Sequence, residues 1–191
     1  MFPVSSRFVL RPADKSDIDW IAAQEAQVYS GDDAIPGHVL QEWFEANPYA
    51  CNIICDLRAS RVGHFNIIPI KSNALQLLFD GRIRERDVRG DSIHSAAERD
   101  VVSCLWVESI TLDVPQPCLR ARALLNVFQR AHHTMERLAD PINLRHVYAL
   151  SATRAGDNLI KRTDGHDLYC ASYEILKRKT QELLARGMKH E

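Results

Sequence analysis

The sequence predicts an α/β fold: a central mixed β-sheet with helices on both faces and a further helix at the C-terminus. Three observations predict it. Short apolar runs of strand character are interleaved with segments whose apolar residues recur at helical spacing. The chain has 191 residues, 46% of them hydrophobic and 26% charged, which suits one compact domain with a real core and one appended element. Its net charge is only -1, so the broad basic footprint of a nucleic-acid binder is missing and no such partner is expected.

The elements follow in order. Phe8-Val9-Leu10-Arg11 reads as a strand, and Ser16, with Asp19 three residues on, reads as the start of a helix carrying Ile18, Ile21, Ala22 and Ala26 to about Tyr29. A long acidic loop follows, broken at Pro36-Gly37. A short helix over 39–46 places Val39, Leu40, Trp43 and Phe44 on one face. Residues 50–57 and 61–70 form a hairpin around Arg58-Ala59-Ser60, and 75–79 a helical turn or two. Residues 81–100 set Arg82, Arg84, Arg86, Arg89 and Arg99 against Glu85, Asp87, Asp91, Glu98 and Asp100, a pattern expected of a solvated, partly mobile loop.

A strand is expected over 101–114 and a helix over 119–138 with Leu124, Phe128, Ala131, Met135 and Leu138 on its inner face. Residues 145–150 read as a strand buried on both faces, 155–163 as a short helix, 168–175 as a strand, and 177–186 as a basic helix. The two late strand–helix units should be right-handed crossovers. The resulting division is a main domain over 1–175 and an appended C-terminal helix over 176–191 packed on it.

Five cysteines, an odd number without a CxxC pair, argue against both a disulfide framework and a zinc ribbon. Cys51 and Cys55 share a strand face roughly 13 Å apart, too far to be bridged. The first residues lack a basic stretch leading into an apolar one, and no run of about 18 apolar residues occurs. A cytoplasmic location without membrane association is therefore expected. His132-His133 are adjacent on a helix and diverge by about 100°, so no metal is expected there.

Three stretches carry a family resemblance: Phe8 to Ala13 before the first helix, Arg61-Val62-Gly63-His64-Phe65, and Leu105 to Ile110 running into Gln116-Pro117-Cys118-Leu119-Arg120-Ala121-Arg122. Together with the element order, they make the chain resemble the GNAT superfamily of acyl-CoA N-acyltransferases from about Arg7 to Ile175. In that family the last stretch cradles the CoA pyrophosphate with backbone N–H groups at a helix N-terminus. Gln116 and Ala121 match its outer positions. Leu119 stands where the central glycine belongs and Pro117 removes a donor, so the cradle is degenerate, with Arg120 and Arg122 as substitute charges.

The resemblance implies acetyl-CoA or another acyl-CoA as co-substrate, held by Leu112, Gln116, Cys118, Leu119, Arg120, Ala121, Arg122 and Asn158, with no metal. Main chain over 110–114 would pair with pantetheine as an added strand does. Asn158-Leu159-Ile160 and Gly165-His166 echo the late motif, with Lys161 where a tyrosine acid often stands. Glu108, a lone carboxylate in an apolar strand beside Trp106 and Ile110, is the expected catalytic base, its pKa raised by burial. The competing reading puts Glu108 on a solvated face or against an arginine.

Tyr169 is a candidate acid, although an aromatic in a late strand more often packs in the core. Asp32, Asp33, Glu42 and Glu45 flank the expected acceptor cleft and would attract a cationic amine, or else are surface charges. The basic residues Lys177-Arg178-Lys179, with Leu183 and Leu184 behind, suit a sheet-edge cover or a homodimer contact. The leading expectation is an N-acyltransferase, acetyl first, acting on a primary amine by direct transfer. Its rivals are a non-catalytic sensing or protein-interaction module, with Leu119 filling the CoA slot, and an acyltransferase using a carrier-protein thioester.

Overall fold

The computed structural model describes residues 8–29, 33–150 and 168–172. Six strands form one sheet in chain order: β1 (Phe8–Pro12), β2 (Cys51–Asp56), β3 (Arg61–Ile68), β4 (Cys104–Leu112), β5 (His146–Leu150) and β6 (Leu168–Ser172). Neighbours pair antiparallel except β4 and β5, which are parallel. That one parallel pair needs a crossover, and α4 (Pro117–Leu138) supplies it. β5 and β6 run antiparallel, so the second crossover expected from the sequence is absent.

The sheet separates two apolar layers. On one face, α4 packs Ala123, Val127, Ala131, Met135 and Leu138 over Ile54, Phe65, Ile67, Leu105 and Val147. The inner stripe thus begins with Ala123 and Val127 in place of the expected Leu124, and Leu124 is half-buried. On the other face, α1 (Lys15–Val28), α2 (Gly37–Ala46) and α3 (Ser72–Phe79) cover Ile53, Ile68 and Trp106 with Ile18, Ile21, Leu40, Trp43 and Leu75. Among the described side chains of β5, Val147 is buried, Tyr148 and Ala149 are half-buried and His146 is exposed, so the described part of that strand is not buried on both faces.

The cap of α1 lies two residues ahead of Ser16. Asp14 is its cap: the carboxylate accepts from the Ser16 N–H at 2.8 Å, and Asp17 accepts from the Asp14 N–H at 2.8 Å. A carboxylate at a helix N-terminus gains from the dipole as well as from the hydrogen bond. Buried Asp17 also receives Arg11 at 2.5 Å and Arg61 at 2.8 Å, which ties α1 to β1 and β3.

Residues 81–100 are not a loose loop. They form 3₁₀ turns at Glu85–Asp87, Gly90–Ser92 and Ala96–Val101. Val88 and Ile93 are buried among the charges, the Trp43 Nε1–H donates to Val88 O at 2.8 Å, and Arg89 pairs with Glu42. Ile93 also bridges to Ile70. Two isolated apolar side chains are enough to pin the segment. β4 accordingly starts at Cys104, after the last of these turns.

Candidate active site

The β3–β4 ladder has one irregular step. Asn66 faces Ser109 and Ile67 faces Val107, which leaves Glu108 as the extra residue of a β-bulge. A bulge places consecutive side chains on the same face. Glu108 and Ser109 both turn to the α1 side, where Asn66 Nδ2 donates to Glu108 Oε2 at 3.0 Å and the Ser109 hydroxyl meets His64. β5 leaves β4 at the same point: Val107 with Ala149 is the last pair, and Glu108 to Leu112 have no β5 partner among the described residues.

Around the bulge lies a buried polar network. His64 is fully buried, its Nε2 lying 2.6 Å from Glu25 Oε1 and 3.1 Å from Ser109 Oγ, and its Nδ1 2.7 Å from Thr111 Oγ1. Thr111 Oγ1 also accepts the His64 backbone N–H at 3.3 Å. The hydroxyl proton is therefore free to go to Nδ1, which assigns the ring proton to Nε2 and directs it at Glu25. Burial holds the imidazole pKa down at about 3, so His64 stays neutral.

Three glutamates converge here from three elements, Glu25 from α1, Glu85 from the first 3₁₀ turn and Glu108 from β4. Burial, then the charge of Glu25, pushes Glu108 up to about 8, against smaller opposing bonds from Ser109 and Asn66. Burial and then the Glu108 charge push Glu85 up to about 8, although the Trp106 Nε1–H donates to it at 2.6 Å. Glu25 rises to about 7 through burial, eased by Ser109. Tyr29 is raised by burial and by the same carboxylates. No Lys or Arg among the described residues is paired with any of the three.

No family model matches the chain, and no curated protein matches it in sequence. Solved structures do resemble it. One is the GphF GNAT-like decarboxylase in complex with isobutyryl-CoA, 15% identical, TM-score 0.53, covering 83% of this chain and 78% of that one. The chain has the GNAT fold. A second is an acetyltransferase of the GNAT family from Listeria monocytogenes 4b F2365, 13% identical, TM-score 0.49, covering 86% of this chain and 94% of that one.

Within this GNAT fold the start of α4 follows the parted end of β4. Gln116 is the N-cap residue but its side chain makes no capping bond, and Pro117 is the first helical residue. Gln116 and Cys118 are exposed. Leu119 is half-buried against the α4-side core, as is Leu112. Arg120 folds back, its Nε–H donating to Val114 O at 3.0 Å. Ala121 and Arg122 lie in the first turns of α4, and Tyr169 stands opposite Ala149 in β6. Asn158, Lys161, His166 and the basic helix from Lys177 lie outside the described residues.

Of the acids expected beside the acceptor cleft, Glu42 is engaged by Arg89 and Glu45 accepts from exposed Gln41 at 2.6 Å. Neither faces Glu108. Their place is taken by Glu25 and Glu85, which the sequence reading passed over together with His64 and Asn66. For Glu25 a signal existed, since Ile18, Ile21 and Glu25 share the inward stripe of α1. For Glu85, which is half-buried, nothing in its charged surroundings marks it as turned toward the site.

Proposed function

We propose that the chain transfers an acyl group, acetyl first, from acyl-CoA to a primary amine in a single direct step, with Glu108 as general base acting through a water. The observation that carries this reading is the position of Glu108. It is the bulge residue of β4, 9% exposed, where β4 and β5 part, on the face opposite α4. An amine reaches such a site as an ammonium ion and must lose a proton before it attacks a thioester carbon. A carboxylate whose pKa lies near 8 is matched to that task, because a base is most effective close to the working pH.

The amine nitrogen then bonds to the acyl carbon, the carbon–sulfur bond breaks, and the departing CoA thiolate takes a proton. Once ionised, as pH rises past about 7 to 8, Glu25 and Glu85 add negative potential that favours a cationic acceptor over a neutral one. Asn66 holds the Glu108 carboxylate in place, and neutral His64 holds Glu25 without cancelling its charge.

For the donor, the solved GphF structure holds isobutyryl-CoA, and the edge of Glu108 to Leu112 that has no β5 partner among the described residues suits a pantetheine arm. Leu119 packs toward the core beneath α4, so its side chain does not speak for a filled slot. Cys118 is a free, exposed thiol, in keeping with a reducing cytoplasm. Calorimetric titration with acetyl-CoA and, separately, CoA tests the reading. Micromolar binding, about -8 kcal/mol, supports it, and the absence of both heat and thermal stabilisation up to millimolar ligand overturns it.

A further inference from the structure

On the sheet face opposite Glu108, a cleft of about 230 Å³ opens between the ends of β1 and β2 and the C-terminal half of α4. Its floor is polar where an interface between helix and sheet is normally apolar. Asn52, 2% exposed, comes from β2, and Thr134, 7% exposed, comes from the inner side of α4. Leu10, Pro12 and Tyr49 supply apolar wall. Arg130 and Arg137 stand on the α4 side, seven residues apart, which is about two turns and some 10 Å along the axis. The two residues thus line the cleft at two levels of the helix.

Charge accounting separates these two arginines from the other ionisable groups around them. Arg11 also lines the cleft, but its guanidinium is engaged by Asp17 and by Pro12 O. His133 is 3.5 Å from Glu136. Arg130 and Arg137 make no ion pair with any carboxylate among the described residues, and Arg137 lies over the Tyr49 ring, 5.3 Å from its centroid. That stacking pre-orients one planar fork of donors at the mouth. Two arginines without a carboxylate partner among the described residues, above a polar floor, form a receptor for negative charge.

We propose that this cleft binds a small dianionic oxyanion, an organic phosphate or dicarboxylate, which pairs with Arg130 and Arg137 and lays a short organic body against Tyr49 and Leu10. The volume sets the size, since it equals between seven and eight water volumes of about 30 Å³ each. The charge sets the class, because guanidinium groups bind phosphate and carboxylate oxygens with paired, directional hydrogen bonds. Asn52 and Thr134 offer the floor polar groups for oxygens that face inward. The site is separate from the acyl-donor slot and does not depend on the acyltransferase reading.

The test is titration of the full chain with phenyl phosphate, with succinate and with neutral benzyl alcohol, followed by calorimetry or by amide chemical shifts. The dianions should bind saturably with and without saturating CoA, and benzyl alcohol should not bind. Arg130→Gln with Arg137→Gln should weaken the dianions at least about tenfold, whereas Lys15→Gln with Arg58→Gln, which removes the same charge elsewhere, should leave them unchanged. The idea is overturned by a lack of saturable binding of either dianion, by equal weakening in both double variants, or by complete displacement with CoA.

Discussion

Asn66 and Glu108 meet through a hydrogen bond of 3.0 Å across the one irregular step of the β3–β4 ladder, so the bulge and the amide together fix a carboxylate at the point where β4 and β5 separate. The alternation through Trp106 and Val107 already turns Glu108 to the α1 face, and without the bulge Ser109 would point away into the α4-side layer. If Glu108 takes the proton of the amine, Glu108→Gln should lower kcat by about 10²-fold or more while leaving acyl-CoA affinity unchanged. In the parent protein kcat/KM should rise with pH toward a limb near pH 8, and that limb should vanish in the variant. An unchanged pH–rate profile removes the base role.

Glu25 acts on Glu108 by charge alone, as a second carboxylate in the same buried network. Glu25→Gln keeps the size of the side chain and a bond to His64 while removing the charge. Glu108 should then give up its proton more readily, moving the rising limb of kcat/KM down by up to about one pH unit. Selectivity for charged over neutral amines should fall as well. A limb that stays in place in a folded variant would mean that the two carboxyl groups do not sense each other.

The parts of this arrangement legible from sequence are those with a local signature. Phe8 to Pro12, the hairpin around Ala59 and the isolated carboxylate of Glu108 each announce themselves within a few residues. The parts that were not legible depend on register or on distant contacts. His64 meets Thr111 only because Gly63 pairs with Leu112 and the ladder runs on from there. Glu85 is carried into the site by the buried anchors Val88 and Ile93, two apolar residues without periodicity in a run of charges. Asp14 outcompetes Ser16 as a cap because it is the charged acceptor and brings Asp17 to Arg11 and Arg61.

The raised glutamates also shape stability. A carboxyl whose folded pKa exceeds its unfolded value of 4.5 holds its proton better when folded, so its contribution is complete below about 4.5 and is lost as pH rises through the folded pKa. Glu25, Glu85 and Glu108 should therefore lose stability between about pH 4.5 and pH 8. His64 runs the other way, since its folded pKa is depressed and stability falls as pH drops below about 6.5. Three groups oppose one across that window, and below it His64 acts alone. The stability maximum should lie at about pH 4, where the opposing proton uptakes balance, with a steady decline toward pH 8. Denaturant midpoints measured across this range check it, and a maximum at neutral pH would contradict it.

The ordered 81–100 segment rests on a few anchors of unequal weight. Trp43→Phe removes the N–H that donates to Val88 O and should destabilise by about 1–3 kcal/mol, because a buried carbonyl loses this partner. Arg89→Ala breaks an exposed, solvent-screened pair with Glu42 and should cost clearly less than Trp43→Phe. Urea unfolding of the two variants separates these effects, and equal losses would mean that the surface pair matters as much as the buried bond.

Gly63 decides whether β3 and β4 can close at all beside the site. A Cβ at this position would come within 2.1 Å of the Thr111 carbonyl oxygen, closer than any real contact. The obstacle is backbone, which cannot rotate away, so the strands would have to part along the stretch where His64 pairs with Thr111. Gly63→Ala should therefore destabilise by about 3 kcal/mol or more, a loss in the range of severe overpacking. In whatever fraction still folds, the His64 ring should shift away from Thr111 and Glu25. A fluorescence-monitored urea titration reads the first effect and the His64 imidazole shifts by NMR the second; an alanine variant as stable as the parent would mean that the ladder is looser here than its register indicates.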